Sequence, residues 1–139
     1  MSNIVEQARA CRKALDEYVA DITEIPQKIN EHTAIIRPWK PAVYKVGDVR
    51  VADNIPYKCV QAHNSTDNPD WTPANVPALW MQYHGTTPET ARPWIQPSGA
   101  EDIYRADEYM IWTDGKTYKC KSPTNFDPTQ YAQAWEVVE

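Results

Sequence analysis

The chain has 139 residues and a net charge of -5, and its 12 Pro, 6 Trp and 8 Tyr stand against a single Phe. With so few large aliphatic residues, one extensive aliphatic core is excluded, and small modules pinned by aromatic side chains are expected instead. No Lys/Arg cluster is present to displace counterions, which argues against nucleic acid, and no apolar run is long enough to enter a membrane.

Residues 2 to about 36 read as helix, with Ser2 as its N-cap. Ile4, Ala8, Cys11, Leu15, Tyr18, Ile22, Ile25, Ile29, His32 and Ile36 recur at alternating spacings of four and three, a heptad seam. A two-in-seven stripe is narrower than the face a docked helix buries, which favours self-association over packing on the chain's own globular part. Isoleucine at both seam positions around 22–29 points to a trimer, and His32 would then set register or hold an anion on its axis. Pro26 interrupts the pattern and either kinks the helix or starts a second helix folded back as a hairpin. The unbroken heptad phase argues for the kink.

After Ile36 the sequence repeats itself. Arg37-Pro38-Trp39 returns as Arg92-Pro93-Trp94, Tyr57-Lys58-Cys59 as Tyr118-Lys119-Cys120, and Ala78-Leu79-Trp80 is echoed by Gln133-Ala134-Trp135. Between these anchors Tyr44-Lys45-Val46-Gly47-Asp48-Val49 pairs with Tyr104-Arg105-Ala106-Asp107-Glu108-Tyr109. Three anchors in the same order indicate a duplication. Each copy should form three short strands: Val49–Val51, Tyr57–Val60 and Trp80–Tyr83, then Tyr109–Trp112, Thr117–Cys120 and Trp135–Val138. Asp53-Asn54-Ile55-Pro56 and Thr113-Asp114-Gly115-Lys116 supply the hairpin turns. The fold expected is therefore α+β: a coiled-coil-like stalk over 1–36, antiparallel β modules over 37–83 and 92–139, and a linker over 84–91.

The order Trp39, Tyr44-x-x-Gly47-Asp48-x-x, Tyr57-x-Cys59, Asp70-Trp71-Thr72-Pro73 and Trp80 resembles the carbohydrate-binding modules of families five and twelve, also called type-3 chitin-binding modules. Cys59-Val60-Gln61-Ala62-His63, Asp70–Pro73 and Pro77–Trp80 look like versions found in bacteriophage tail, baseplate and fibre proteins. The resemblance implies glycan binding through exposed rings, on which the C–H face of a pyranose stacks. Chitin-binding relatives carry paired aromatics just after the Tyr-x-Cys strand. Here Gln61-Ala62 and Ser122-Pro123 stand there, and the second copy lacks Gly-Asp and Asp-Trp-Thr-Pro. Trp71, beside Asp70 in a polar loop, and Trp112, at a hairpin turn, are the first candidates for stacking rings. Trp39 and Trp94, which open the modules, are further candidates, with Asp70 and Gln61 as polar neighbours. Trp80, Trp135, Tyr57 and Tyr118 are expected in the cores.

Catalytic signatures such as a phosphate loop, a GxSxG elbow or HExxH are missing, and the pair Cys59/His63 has no second pair of ligands. No enzyme, metal or cofactor is expected. Cys11, Cys59 and Cys120 form no CxxC, and Met1 leads into polar sequence unlike a secretory signal. The functional expectation is a bacteriophage virion component made in the host cytoplasm, a fibre, tail or capsid-surface protein. It would trimerise through 2–36, contact other virion proteins and attach to host surface polysaccharide. The alternatives are a purely structural spacer and the targeting part of a wall hydrolase.

Overall fold

A computed structural model describes residues 3–138. Helix α1 (Ile4–Asp21) begins where the Asn3 side chain accepts the Glu6 backbone N–H at 2.8 Å, so Asn3 is its cap; Ser2 lies outside the described residues. Pro26 opens a second helix, α2 (Pro26–Glu31), in the first turn, where no N–H has an intrahelical partner to lose. A 3₁₀ turn over Thr33–Ile35 follows. The chain has then reversed direction. Arg12 of α1 donates to the Ile35 carbonyl at 2.6 Å, and Asp16 is bridged by Arg12 at 2.6 Å and Arg37 at 2.9 Å. Hydrogen bonding from Arg37, reinforced by Arg12, holds the Asp16 carboxyl below the usual carboxylate range.

This hairpin corrects the continuous seam. Ile22 (3% exposed), which caps the end of α1, Ile29 (0%) of α2 and Ile36 (5%), which caps the 3₁₀ turn, meet in one core with Val19, Val49 and Tyr83. They pack on the chain's own first module instead of a neighbouring helix. Ile25 is left exposed, Leu15 half-buried, and His32 packs edge-to-face on Tyr18 at 5.5 Å. The Tyr83 hydroxyl donates to the Thr23 carbonyl at 2.7 Å, satisfying an acceptor just past the end of α1. Residues 3–11, by contrast, are all exposed. Because they contribute nothing to the core, a variant lacking residues 1–9 should melt within ~2 °C of the full chain in calorimetry. A much larger drop would mean that the start of α1 is buried in solution.

The first module holds β1 (Val43–Tyr44), β2 (Val49–Ala52), β3 (Ile55–Cys59), β4 (His63–Asn64) and β5 (Trp80–Gln82). Strands β2, β3 and β5 form an antiparallel sheet in that order, and β1 pairs with β4. Asp53 and Asn54, at φ 52° and 65°, make the two-residue turn between β2 and β3; both adopt the left-handed region that short polar side chains tolerate. The second module holds β6 (Arg92–Pro93), β7 (Tyr109–Ile111), β8 (Thr117–Cys120) and β9 (Trp135–Val138), in the order β6-β7-β8-β9. The three antiparallel strands expected of each copy are present. The additional strand β6 runs parallel to β7, and a matching parallel bridge joins Pro38 to Val51. A two-residue strand containing proline carries no periodicity, so it has no sequence signal.

Residues 84–91 are built into the interface of the modules. The His84 ring stacks on Tyr104 with centroids 3.7 Å apart, and its Nε2 meets the Asp102 carbonyl at 2.7 Å. Burial pushes His84 down to about 4. Asn30 of α2 donates to the His84 carbonyl at 2.9 Å, while Arg92 donates to Asn30 Oδ1 at 2.7 Å and to the Tyr83 carbonyl at 2.6 Å. Helix hairpin, first module and second module are thus joined by one buried hydrogen-bond network.

Candidate functional site

Both modules are organised around an aromatic pair that the duplication preserves. Tyr44 meets Trp80 edge-on at 4.9 Å, and Tyr104 meets Trp135 at 5.3 Å. The turn before each pair of long strands is held alike: Gly47 N–H donates to the Cys59 carbonyl at 2.9 Å, Asp107 N–H to the Cys120 carbonyl at 2.8 Å. Both residues sit at positive φ, 97° and 69°. Asp48 accepts from the Lys45 N–H at 2.8 Å, and Glu108 accepts from the Arg105 N–H at 2.7 Å, so Asp-Glu replaces Gly-Asp with the turn intact. Burial raises Glu108 to about 7.

Cys59 and Cys120 likewise donate their thiols to the Gln61 and Ser122 carbonyls, at 3.2 and 3.0 Å. Burial pushes both thiols up, Cys120 to about 11, which makes them inert packing groups. His63 lies 3.8 Å from Cys59 Sγ, with its Nδ1 2.8 Å from the Gln61 carbonyl, and no group of three or more His, Cys, Asp or Glu converges among the described residues.

The loop between the last two long strands is where the rings emerge. In the first module it carries Trp71, which is 38% exposed, with its backbone N–H donated to the Asn68 carbonyl at 3.0 Å. Asn75 Nδ2 donates to the Asp70 carbonyl at 2.9 Å and fixes the chain on one side of the ring. In the second module the same loop carries Phe126 (50% exposed) and Tyr131 (42%). They lie in an open cleft of about 360 Å³ with Pro123, Asn125 and Gln130.

The remaining candidate rings are held in the packing. Trp94 stacks on Tyr104 at 4.9 Å and meets Trp112 and Trp135 edge-on at 5.8 and 6.0 Å. Trp39 lies half-buried against the Tyr44–Trp80 cluster. Trp112 is half-buried against the second core, whereas Asp70 and Gln61 are exposed at the loop that holds Trp71. The positions after each Tyr-x-Cys strand, Gln61-Ala62 and Ser122-Pro123, are exposed and carry no ring.

Residues 38–81 match the model of carbohydrate-binding module family 5/12. The matched module therefore includes Trp39, Tyr44, Cys59, Trp71 and Trp80, and stops short of the second copy. A chitinase of Paenibacillus xylanexedens is 41% identical over 63 residues, which covers 40% of this chain and 11% of that enzyme. The chain thus spans only about a tenth of that relative's length. A crystal structure of a family GH18 chitinase from Chromobacterium violaceum overlaps 44% of this chain and 16% of its own, with 31% identity and a TM-score of 0.32.

Sequence reasoning missed Phe126 and Tyr131. Counting back from Trp80 and Trp135 at their shared offset of 55 aligns Trp71-Thr72-Pro73 with Phe126-Asp127-Pro128, and Val76 with Tyr131. The hydrogen bonds follow this alignment: Val76 N–H donates to the Thr72 carbonyl at 3.2 Å, and Tyr131 N–H to the Asp127 carbonyl at 2.9 Å. The Asp-Trp-Thr-Pro loop is therefore retained in the second copy with altered wording.

Proposed function

We propose that the chain binds a polysaccharide through its first module, with Trp71 as the ring on which a pyranose stacks. The observation that carries this is the exposure of Trp71 on a hydrogen-bonded loop inside the segment that matches carbohydrate-binding module family 5/12. Ring and loop are set before ligand arrives, so little ordering entropy opposes binding. The missing ring pair at Gln61-Ala62 favours single-chain polymer over a flat crystalline face. The polymer class we propose is one rich in N-acetylhexosamine, the sugar chemistry shared by chitin and bacterial peptidoglycan. Likeness to a chitinase over 63 residues supports this class. The chain is read as a binding protein without catalysis of its own; release of shorter oligomers from chitohexaose would refute that.

Trp71→Ala should weaken adsorption to colloidal chitin or peptidoglycan roughly 30-fold or more, the ~2 kcal/mol typical of an aromatic anchor, without moving the melting temperature. Sedimentation of the bound fraction measures this. Equal adsorption of wild type and variant would leave the module a structural spacer.

The setting we propose is the surface of a bacteriophage particle, as part of a fibre, tail or capsid. The likeness of residues 59–63, 70–73 and 77–80 to phage tail and fibre wording supports it, and many displayed copies would multiply a weak single-site affinity. The exposed start of α1 is the segment proposed to attach or self-associate, now limited to the region of Ile4 to Tyr18. Immunogold labelling of purified particles tests the setting; label confined to the soluble fraction would remove it.

A further inference from the structure

We propose that the second module carries its own glycan site, in the Phe126–Tyr131 cleft, so that each chain binds a polysaccharide chain at two points. This rests on the reading of the first module as a glycan binder, and extends it to a segment outside the family match.

Two independent observations converge there. The first is positional: Phe126 is the counterpart of Trp71 at the constant offset of 55 from the core tryptophans, and it precedes the same proline. The second is geometric. Trp135 Nε1 donates to the Phe126 carbonyl at 2.9 Å, whereas in the first copy Trp80 Nε1 is buried with no hydrogen-bond partner among the described residues. The second copy has thus anchored the backbone of its aromatic residue more firmly to the core while leaving the ring half in solvent.

The rest of the loop is equally fixed. Asp127 Oδ1 accepts from the Thr129 hydroxyl and N–H and from the Gln130 N–H, and Gln96 Nε2 donates to the Asn125 carbonyl at 2.9 Å. A loop tied by this many side chains has little need of two exposed rings for its own stability. The cleft, at about 360 Å³, falls at the small end of ligand-sized pockets (~300–1,000 Å³).

Its chemistry suits a sugar. Phe126 and Tyr131 offer apolar faces to the C–H side of a pyranose, and the Asn125 and Gln130 amides and the Tyr131 hydroxyl border them with groups able to meet hydroxyls and N-acetyl oxygens. Among the described residues no lysine, arginine or carboxylate lines the cleft, which disfavours a charged ligand. Where the first module offers one broad indole, the second offers two smaller rings.

The test uses the full chain and colloidal chitin, with peptidoglycan as a second arm, and compares wild type, Trp71→Ala, Phe126→Ala and the double variant by adsorption isotherm. Thermal melting confirms that each is folded. Phe126→Ala alone should weaken adsorption roughly tenfold or more through lost avidity, and the double variant should fall below either single variant. Phe126→Ala adsorbing like wild type while Trp71→Ala loses all binding would overturn the second site and leave the first intact. Failure of wild type to adsorb in both arms would remove both together. Tyr131→Phe, which deletes only the bordering hydroxyl, should fall between wild type and Phe126→Ala; if Phe126→Ala proves unstable, Tyr131→Phe and Asn125→Ala carry the same comparison.

Discussion

Gly85→Ala is expected to destabilise the chain by about 3 kcal/mol, the upper end of what overpacking costs, and to lower its melting temperature by roughly 10 °C. A Cβ on Gly85 would lie 2.4 Å from the Thr90 carbonyl oxygen, 2.7 Å from its carbon and 2.8 Å from Ala91 Cα. All three are backbone atoms and cannot swing aside. Thr90 is also clamped: its hydroxyl and N–H form a capping box with Thr87, and its Oγ1 accepts from the Thr86 N–H at 3.0 Å. On the other side, the Gly85 carbonyl accepts the Tyr109 N–H at 2.8 Å and draws β7 against the turn. Relief of the clash therefore has to break the turn or the contact with β7. Gly99→Ala is the matched control, since nothing lies within 4 Å of its Cβ position, and it should stay within ~0.5 kcal/mol of wild type. Melting of the two variants at the same temperature would show that residues 84–91 are not packed in solution as described.

The second large effect is concealed in the wild type. His84 is pushed by burial down to about 4, so unfolding at acid pH lets it take up a proton. Its contribution to stability is complete above its ordinary 6.5 and is lost as pH falls towards 4. Glu108 is pushed by burial up to about 7, so unfolding near neutrality makes it release a proton. Its contribution is complete below its ordinary 4.5 and is lost as pH rises towards 7. Each displacement is worth on the order of 3 kcal/mol, and the two windows coincide with opposite signs.

Between pH 4.5 and 6.5 these two groups together bind one proton in the folded chain, on Glu108, and one in the unfolded chain, on His84. Their joint contribution is flat. Glu108→Gln, which keeps an acceptor for the Arg105 N–H, should uncover the histidine: stability should fall by on the order of 3 kcal/mol from pH 6.5 to 4. His84→Phe, which keeps a ring against Tyr104, should uncover the opposite slope, with stability falling as pH rises from 4.5 to 7. Urea midpoints measured across that range decide it, and variant profiles parallel to the wild type would disprove the compensation.

The duplication was legible in the sequence because its anchors are rigidly required. Trp80 and Trp135 open the edge strands β5 and β9 and fill each module's core, and Tyr57-Lys58-Cys59 and Tyr118-Lys119-Cys120 place a buried thiol opposite them on the neighbouring strand. The hairpin of α1 and α2 was not, because Ile22, Ile29 and Ile36 keep a spacing of seven across a break in the helix. Such spacing is shared by a coiled coil and by three separate elements that dock on one surface, and only the reversal at Pro26 tells them apart. Trp71 could be read as exposed from the polar residues around it. Phe126 escaped because Trp-Thr-Pro became Phe-Asp-Pro, a change that preserves aromatic ring, side-chain oxygen and proline while erasing the identities.

The stacking of His84 on Tyr104 has a consequence for descent. A residue that follows the last strand of the first copy forms part of the wall of the second copy's core, and Asn30 and Arg92 tie both to the helices. Neither half can be excised, reshuffled or multiplied without opening an apolar wall in the other. Whatever freedom a newly doubled gene once had to lose, invert or further amplify its repeats has been closed off here. The pair must now be inherited as one unit, while the two exposed loop tips, which carry no part of that joint, remain free to diverge.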